Sequence, residues 1–181
     1  MKNISISKSI LFSTLFLIVN FSSPLRGQGY WSDYWISEER GLETALPGGY
    51  LAGYCCSGSY CDDRKLFFRS GENFWEGPVR RYVPPKYSKP ISEETGSFIV
   101  DDGYLISGLQ CTGDYCDNII LEMTKTTLKV HRDRAFWTGW ISEENGRNRY
   151  VAPAGHFIIG YDCRGSYCDD RRFLVAPVSR E

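Results

Sequence analysis

The sequence has few histidines, no long apolar segment and no excess of basic residues. Only His131 and His156 are present among 181 residues, so a histidine-based zinc site has few ligands to draw on. The longest apolar run, Ile10 to Val19, is shorter than the roughly 20 residues that a transmembrane helix needs. A net charge of −1 at pH 7 argues against a nucleic-acid partner. Cys-x-x-Cys and Gly-x-Ser-x-Gly motifs are also missing, which argues against thioredoxin-like redox chemistry and against a serine-hydrolase elbow.

The first 27 residues have the layout of a secretory signal peptide. Lys2 and Lys8 precede the apolar run, and small and turn-forming residues follow it. We expect cleavage before Gln28, so that the mature chain, residues 28–181, is secreted to the extracellular space without a transmembrane anchor. Loss of the segment removes three basic residues and no acidic one, which changes the net charge from −1 to −4.

One unit of about 50 residues occurs three times in the chain. Each copy contains the tetrapeptide Ile-Ser-Glu-Glu and, 19 to 21 residues after its serine, a Cys-x4-Cys motif. A repeat of this length is typical of units that bury their apolar faces against one another. We therefore predict one domain over residues 28–181, built of repeats at about residues 30–80, 81–130 and 131–181.

The residue types favour strands over helices. Short runs of Val, Ile, Tyr, Phe and Trp are separated by Gly, Asp, Ser and Pro turns. We predict an all-β fold with pseudo-threefold symmetry, a β-prism of three Greek-key repeats, with a β-trefoil as the alternative. The segment from Tyr30 to Trp35 resembles the one before the third copy, so we expect an N-terminal strand to complete the last unit and close the ring.

Six of the seven cysteines form three local pairs. Residues five apart in a hairpin with glycine at its turn can reach the Cα separation of a disulfide, about 4.4–6.8 Å. We predict the disulfides Cys56–Cys61, Cys111–Cys116 and Cys163–Cys168. Cys55 has no counterpart in the other two repeats, because the equivalent positions are Gln110 and Asp162. We predict an outward-facing thiol that is either unpaired or joins two chains, as in a disulfide-linked homodimer.

Acidic residues recur in every unit. Asp62, Asp117 and Asp169 follow the second cysteine, and a glutamate pair lies in each Ser-Glu-Glu motif. Aspartate after a tight turn commonly accepts hydrogen bonds from its own backbone, so we interpret these groups as scaffold. Two alternatives use the same carboxylates: a calcium site, or a glycan-acting enzyme with Glu39 or Asp63 as acid or base. We assign no catalytic residue, no metal ligand and no other cofactor.

Aromatic and basic side chains outside the repeated motifs are the candidates for ligand contact. Sugar rings stack on aromatic planes, and Tyr and Trp add hydrogen-bond donors. We expect Trp35, Trp137 and Trp140, which adjoin repeated motifs, to belong to the core. The less symmetric segments 69–90 and 124–137 have a local basic surplus that suits anionic glycans or lipid headgroups, unless they are solvated linkers. The ligand-binding candidates are Trp75, Arg80, Arg81, Tyr82, Tyr87, Arg132 and Arg134.

The motifs W-x-S-E-E-x-G and C-x-G-x-Y-C-D-D, with a glycine ahead of each central strand, point to a known family. With three such units, the chain resembles the threefold-repeat β-prism proteins of the vitelline membrane outer layer protein I type. It also resembles the β-prism module at the end of some bacterial membrane-attack-complex/perforin proteins. The resemblance covers nearly the whole mature chain. It implies a secreted module of protective coats or of target binding, with carbohydrate recognition, and it implies no catalytic residue.

These observations predict a secreted, non-catalytic, lectin-like binding module that recognises glycans or a cell or membrane surface. An extracellular coat or matrix protein, cross-linked through Cys55, is the alternative hypothesis. A glycan-acting enzyme is the third.

Overall fold

The computed structural model describes residues 29–37, 41–45, 49–70, 84–142, 144 and 148–180, so the predicted signal peptide lies outside the described residues. The described chain is built of strands and short 3-10 turns, which confirms the all-β prediction. In chain order the strands are β1 (Gly29–Trp31), β2 (Leu42–Thr44), β3 (Gly49–Ser57), β4 (Asp63–Ser70), β5 (Lys86–Tyr87), β6 (Phe98–Ile99), β7 (Tyr104–Thr112), β8 (Asn118–Lys125), β9 (Leu128–Val130), β10 (Phe136–Trp137), β11 (Arg149–Val151), β12 (His156–Arg164) and β13 (Asp170–Arg180). The 3-10 turns are η1 (Ser59–Cys61), η2 (Asp114–Cys116), η3 (Arg132–Arg134) and η4 (Ser166–Cys168).

Three long antiparallel hairpins, one from each repeat, form the centre of the fold. They are β3 with β4, β7 with β8, and β12 with β13. The first strands of the hairpins, β3, β7 and β12, contact one another, so the inner faces of the three sheets meet along a common axis. Alternate residues point to that axis, and the buried layer made by Leu66, Leu121 and Phe173 illustrates the repetition.

Each hairpin is extended by a short strand donated from the preceding repeat. Strand β2 pairs with β7, β6 pairs with β12, and β11 pairs with β3. Donation therefore runs from the first repeat to the second, from the second to the third, and from the third back to the first. This exchange closes the ring and leaves no repeat with a complete sheet of its own.

The expectation that an N-terminal strand completes the last unit is wrong. Strand β1 pairs with β4, inside the first repeat's own sheet. The third hairpin has no open edge for it, because β6 lies along β12 and both β10 and β9 lie along β13.

The strand orders within the three sheets are β1-β4-β3-β11, β2-β7-β8-β5 and β10-β13-β12-β6, with β9 also paired to β13. No pairing among the described strands joins these sheets into one barrel. The arrangement is thus compatible with a β-prism and lacks the closed barrel of a β-trefoil.

A glycine in each first hairpin strand makes room for the donated strand. A Cβ atom on Gly53, Gly108 or Gly160 would lie 2.7 to 3.0 Å from a carbonyl oxygen of the strand that crosses there. The hairpin register shifts at the same three positions, as expected for a bulge. The repeated glycine is therefore required by close backbone approach.

The three predicted disulfides are present, with Cα–Cα separations of 5.0, 5.0 and 5.1 Å. In the first copy Gly58 has φ of 77°, and Tyr60 and Cys61 adopt left-handed φ values of 58° and 54°. Such values are uncommon for residues other than glycine, so the turn needs support from its surroundings. The disulfide supplies part of that support in all three repeats.

Candidate functional site

An open groove of 510 Å³ lies between the first and third sheets and is lined by residues 136–141 and 148–150. We call it the aromatic groove, since Phe136, Trp137, Trp140 and Tyr150 contribute to its walls. One wall belongs to the third repeat's own sheet. The other includes β11, which that repeat donates to the first sheet. The groove therefore exists only because of the strand exchange.

Backbone hydrogen bonds fix the wall formed by residues 136–141 on strand β13. Phe136 and Trp137 pair with Val175 and Leu174. Beyond them, the Thr138 amide donates to the Phe173 carbonyl at 2.9 Å, and the Thr138 hydroxyl accepts from the Phe173 amide at 3.0 Å. The wall is therefore held in place by the hairpin behind it.

Arg172 connects the two tryptophans of this wall. Its guanidinium carbon lies 4.8 Å from the centre of the Trp137 ring and 4.6 Å from that of Trp140, both within cation–π range. Its Nη2 atom lies 2.7 Å from a carboxylate oxygen of the buried Asp162. A second arginine, Arg164, lies 4.0 Å from the Trp140 ring centre. These contacts hold both indole rings in defined positions.

The opposite wall carries an arginine that forms no ion pair with a described residue. Arg149 is exposed, and its guanidinium carbon lies 4.6 Å from the Trp31 ring. Among the described residues, no carboxylate lies within 4.0 Å of it, whereas Arg172 and Arg164 pair with Asp162 and Asp170. The aromatic groove thus combines aromatic faces with a positive charge that no described carboxylate compensates.

None of the candidate ligand-binding residues predicted from the sequence lines this groove. Trp35 is exposed and Trp140 is half-buried outside the core cluster, so the expectation that they belong to the core is wrong, whereas Trp137 is half-buried and packs against the core. The reason for Trp140 is that the segment begins along the outer edge of the hairpin at Phe136 and Trp137, and only the residue after Trp140, Ile141, is buried in the core. Asn148 and Arg149 were missed because they flank and begin a three-residue donated strand, which is too short to give a periodic signal.

The predicted ligand-binding residues lie elsewhere or outside the described part of the chain. Trp75, Arg80, Arg81 and Tyr82 fall in residues 71–83, which are not described. Tyr87 is 54% exposed on strand β5 of the second sheet and donates to a Glu122 carboxylate oxygen at 3.1 Å.

Arg132 and Arg134 lie in η3, beside strand β13. The Arg132 guanidinium donates to the Val100 carbonyl and forms an ion pair with Asp102, so its charge is already compensated. Arg134 is exposed. Neither of them, nor Tyr87, lines the aromatic groove.

A second aromatic cluster closes one end of the common axis. The rings of Tyr60, Tyr115 and Tyr167 contact one another, with centroid separations of 5.1 to 5.6 Å, and all three are partly exposed. Each tyrosine comes from the 3-10 turn of a different repeat. Because the cluster requires all three copies, it holds the turns together as scaffold.

The aspartates that follow the cysteines also make local contacts. The Asp62 carboxylate accepts from the Asp63 amide at 2.9 Å, and the Asp169 carboxylate accepts from the Asp170 amide at 2.8 Å. Each carboxylate also lies where a side chain on the turn glycine would collide with it. These bonds agree with the scaffold interpretation of the aspartates.

The Ser-Glu-Glu motif forms a turn in the second and third repeats. The hydroxyls of Ser92 and Ser142 accept from the amides of Glu94 and Glu144, at 3.3 and 3.2 Å. Glu39, considered above as an acid or base, lies outside the described residues. Over the described part of the chain, no three His, Cys, Asp or Glu side chains are grouped to share a metal ion.

Cys55 is half-buried on the outer face of the first sheet. Its cross-strand neighbours are Lys65 on one side and Arg149 on the other. Burial raises the pKa of the Cys55 thiol, and the two neighbouring cations oppose that shift in part. Directly paired residues project from the same face, so a partner chain's thiol must pass between these two long side chains.

Comparisons of the chain with protein-family models, curated proteins and solved structures found no match. Within the described residues, no helix has the length and apolar character to cross a membrane.

Proposed function

We propose that this protein is a secreted, non-catalytic module that binds glycans in the aromatic groove. The observation that carries the proposal is the pair of tryptophans, Trp137 and Trp140, held by Arg172 in a groove open to solvent. Aromatic planes bind the C–H faces of sugars, and adjacent polar groups bind their hydroxyls. Asn148 and Arg149 supply such polar groups on the facing wall.

The fixed position of the tryptophans favours binding without catalysis. Side chains that are already ordered lose little conformational entropy when a ligand binds, and this preserves affinity. Behind the groove wall, the carboxylates of Asp162 and Asp170 are engaged by Arg172 and Arg164. Glycoside hydrolysis generally needs two carboxyl groups facing the bond to be cleaved, and the described residues that line the groove include none.

The charge of the groove favours an acidic glycan. Arg149 has no carboxylate partner among the described residues, so it is available to a carboxylated or sulfated sugar. Arginine binds such groups through two parallel N–H donors. Three disulfides in a domain of this size are also typical of proteins that fold in an oxidising, extracellular environment.

The test is binding of the purified mature protein to an array of neutral, carboxylated and sulfated glycans. Trp140→Ala should abolish binding, and Arg149→Gln should weaken binding to acidic glycans alone. Tyr87→Ala is the matched control, because it removes an exposed aromatic from the second sheet. Circular dichroism must show that each variant is folded. Loss of binding in Tyr87→Ala with retention in Trp140→Ala would show that the glycan site lies outside the groove. If the protein binds no glycan on the array, the proposed function is overturned.

A further inference from the structure

Two arginine side chains lie inside the core, at equivalent positions of the first and third repeats. Arg64 and Arg171 are both 0% exposed. Their backbones make the same isolated bridge, to Ile36 and Ile141, that Ile119 makes in the second repeat. The threefold symmetry therefore places two guanidinium groups and one aliphatic side chain around the axis. Burial of a charge is costly unless it is paired and hydrogen-bonded.

Backbone carbonyls of neighbouring turns accept some of the guanidinium hydrogen bonds. Arg64 donates through Nη2 to the Cys116 carbonyl at 2.8 Å, in the second repeat's turn. Arg171 donates to the Tyr60 carbonyl at 3.3 Å and to the Asp169 carbonyl at 3.4 Å. Three further buried nitrogens, Nε and Nη1 of Arg64 and Nε of Arg171, make no hydrogen bond of good geometry to any described residue.

No negative side chain balances this charge locally. Among the described residues no carboxylate lies within 4.0 Å of either guanidinium, and Asp169 acts on Arg171 only at longer range. Burial lowers the pKa of Arg64, and the charge of Arg171 lowers it further. The two groups are thus close enough to repel each other.

Two buried tyrosines, Tyr54 and Tyr161, complete the cluster. They interact electrostatically with both guanidinium groups, and Tyr54 lies beside Arg64 and Tyr161 beside Arg171 in short polar contacts. By distance and angle, neither hydroxyl completes a hydrogen bond to a described residue. Burial raises the pKa of Tyr161 above its ordinary value of about 10, so its hydroxyl is neutral near pH 7. Tyr161 therefore supplies a hydrogen-bond donor to the cluster but no counter-charge.

We propose that Arg64 and Arg171 form an internal site for a small monovalent anion of the halide class. The unpartnered N–H groups of the two arginines and the hydroxyls of Tyr54 and Tyr161 are its donors. The anion balances one of two repelling charges and provides the missing acceptor. A small ion is required because all four side chains are almost completely buried. The site is separate from the aromatic groove and does not depend on the proposed glycan binding.

The first experiment measures unfolding of the mature protein in sodium chloride and in sodium gluconate at equal ionic strength. A ligand that binds only the folded state stabilises it by mass action. Above the dissociation constant of one site, each tenfold rise in chloride should raise the folding equilibrium constant about tenfold. Gluconate is too large for an enclosed site and should give no such rise. Equal slopes in the two salts would overturn the proposal.

The matched variant is Arg64→Ile with Arg171→Ile, which copies Ile119 into both other repeats. It should remove the chloride dependence, whereas Arg134→Ile, at an exposed arginine, should retain it. If the double variant does not fold, crystals of the unaltered protein soaked in sodium bromide decide the question. An anomalous bromide peak within hydrogen-bond distance of Arg64 and Arg171 is expected. Its absence, or a water at that position, would overturn the proposal.

Discussion

The carboxylate of Asp162 lies 2.7 Å from Nη2 of Arg172, and this ion pair determines where the tryptophans of the aromatic groove stand. The position equivalent to Asp162 is Cys55 in the first repeat and Gln110 in the second. The ion pair therefore occurs in the third repeat alone. The disulfide turns and the glycine bulges occur three times, the tyrosine cluster takes one residue from each repeat, and together they build the scaffold. A feature that departs from the threefold repeat is a better candidate for ligand recognition.

Asp162→Asn should weaken glycan binding and lower the free energy of unfolding. The substitution removes the charge that anchors Arg172, which then no longer fixes Trp137 and Trp140. Hydrogen bonds to charged groups are worth about 1.5–3 kcal/mol, so a loss in that range is expected in denaturant titration. Asp170→Asn is the control, because its partner Arg164 is more exposed and surface pairs contribute less than about 1 kcal/mol. Equal losses in the two variants would contradict this role for Asp162.

Gly108→Asn should destabilise the protein far more than Gly103→Asn. A Cβ atom at Gly108 meets the Glu43 carbonyl oxygen at 2.9 Å and the Thr44 methyl at 3.0 Å, so it pushes away the donated strand β2. Gly103 has a left-handed φ of 77° and open space around it, and asparagine tolerates that conformation. Hydrogen exchange of the β2 and β7 amides should increase only in Gly108→Asn. Unchanged protection there would show that the strand exchange tolerates a side chain.

Replacement of Cys111 and Cys116 together by serine should lower the free energy of unfolding by about 2 kcal/mol, the chain-entropy value for so short a loop. The same turn holds Tyr115 in a left-handed conformation and presents the Cys116 carbonyl to Arg64. The loss should therefore be at least as large as the loop entropy alone. Cys55→Ser is the control and should change stability little. A similar loss of unfolding free energy in the double variant and in Cys55→Ser would mean that the disulfide does not stabilise the fold beyond the effect of a cysteine-to-serine change.

The Cys55 thiol should react slowly with iodoacetamide at neutral pH. Burial raises its pKa, so the thiolate fraction at any pH below that pKa is smaller than for an exposed cysteine with a pKa of about 8.5. Arg149→Gln removes a cation that opposes the shift and should move the midpoint of the rate profile to still higher pH. The urea-unfolded protein supplies the reference profile. A folded-state midpoint at or below this reference would contradict the expected shift.

Short-range features of this protein are readable from its sequence. The Cys-x4-Cys spacing predicts the disulfides because both cysteines belong to one hairpin, and no distant contact is needed to bring them together. The local hydrogen bonds of Asp62 and Asp169 are predictable for the same reason, since they reach only the next residue. The strand-rich composition likewise predicts an all-β fold.

The buried arginines had a signal that was not used. Arg64 alternates with Leu66 and Phe68, and a strand's inward face has a period of two. That alternation places Arg64 on the apolar face. Arg171 is likewise on the apolar face of β13, two residues before Phe173. Charged side chains are almost never fully buried, so residue type alone predicts the opposite location for both arginines.

By itself, the sequence determined the local elements: three hairpins, their closed turns and the glycines that bend them, since these depend on residues a few positions apart. The tertiary structure alone decided which repeat receives each short strand, which edge takes β1, and how residues 136–141 meet β11 to form a groove. Strands of two or three residues carry too little pattern to specify a partner. Their pairing is set by whichever sheet edge remains open after the long hairpins have packed around the axis.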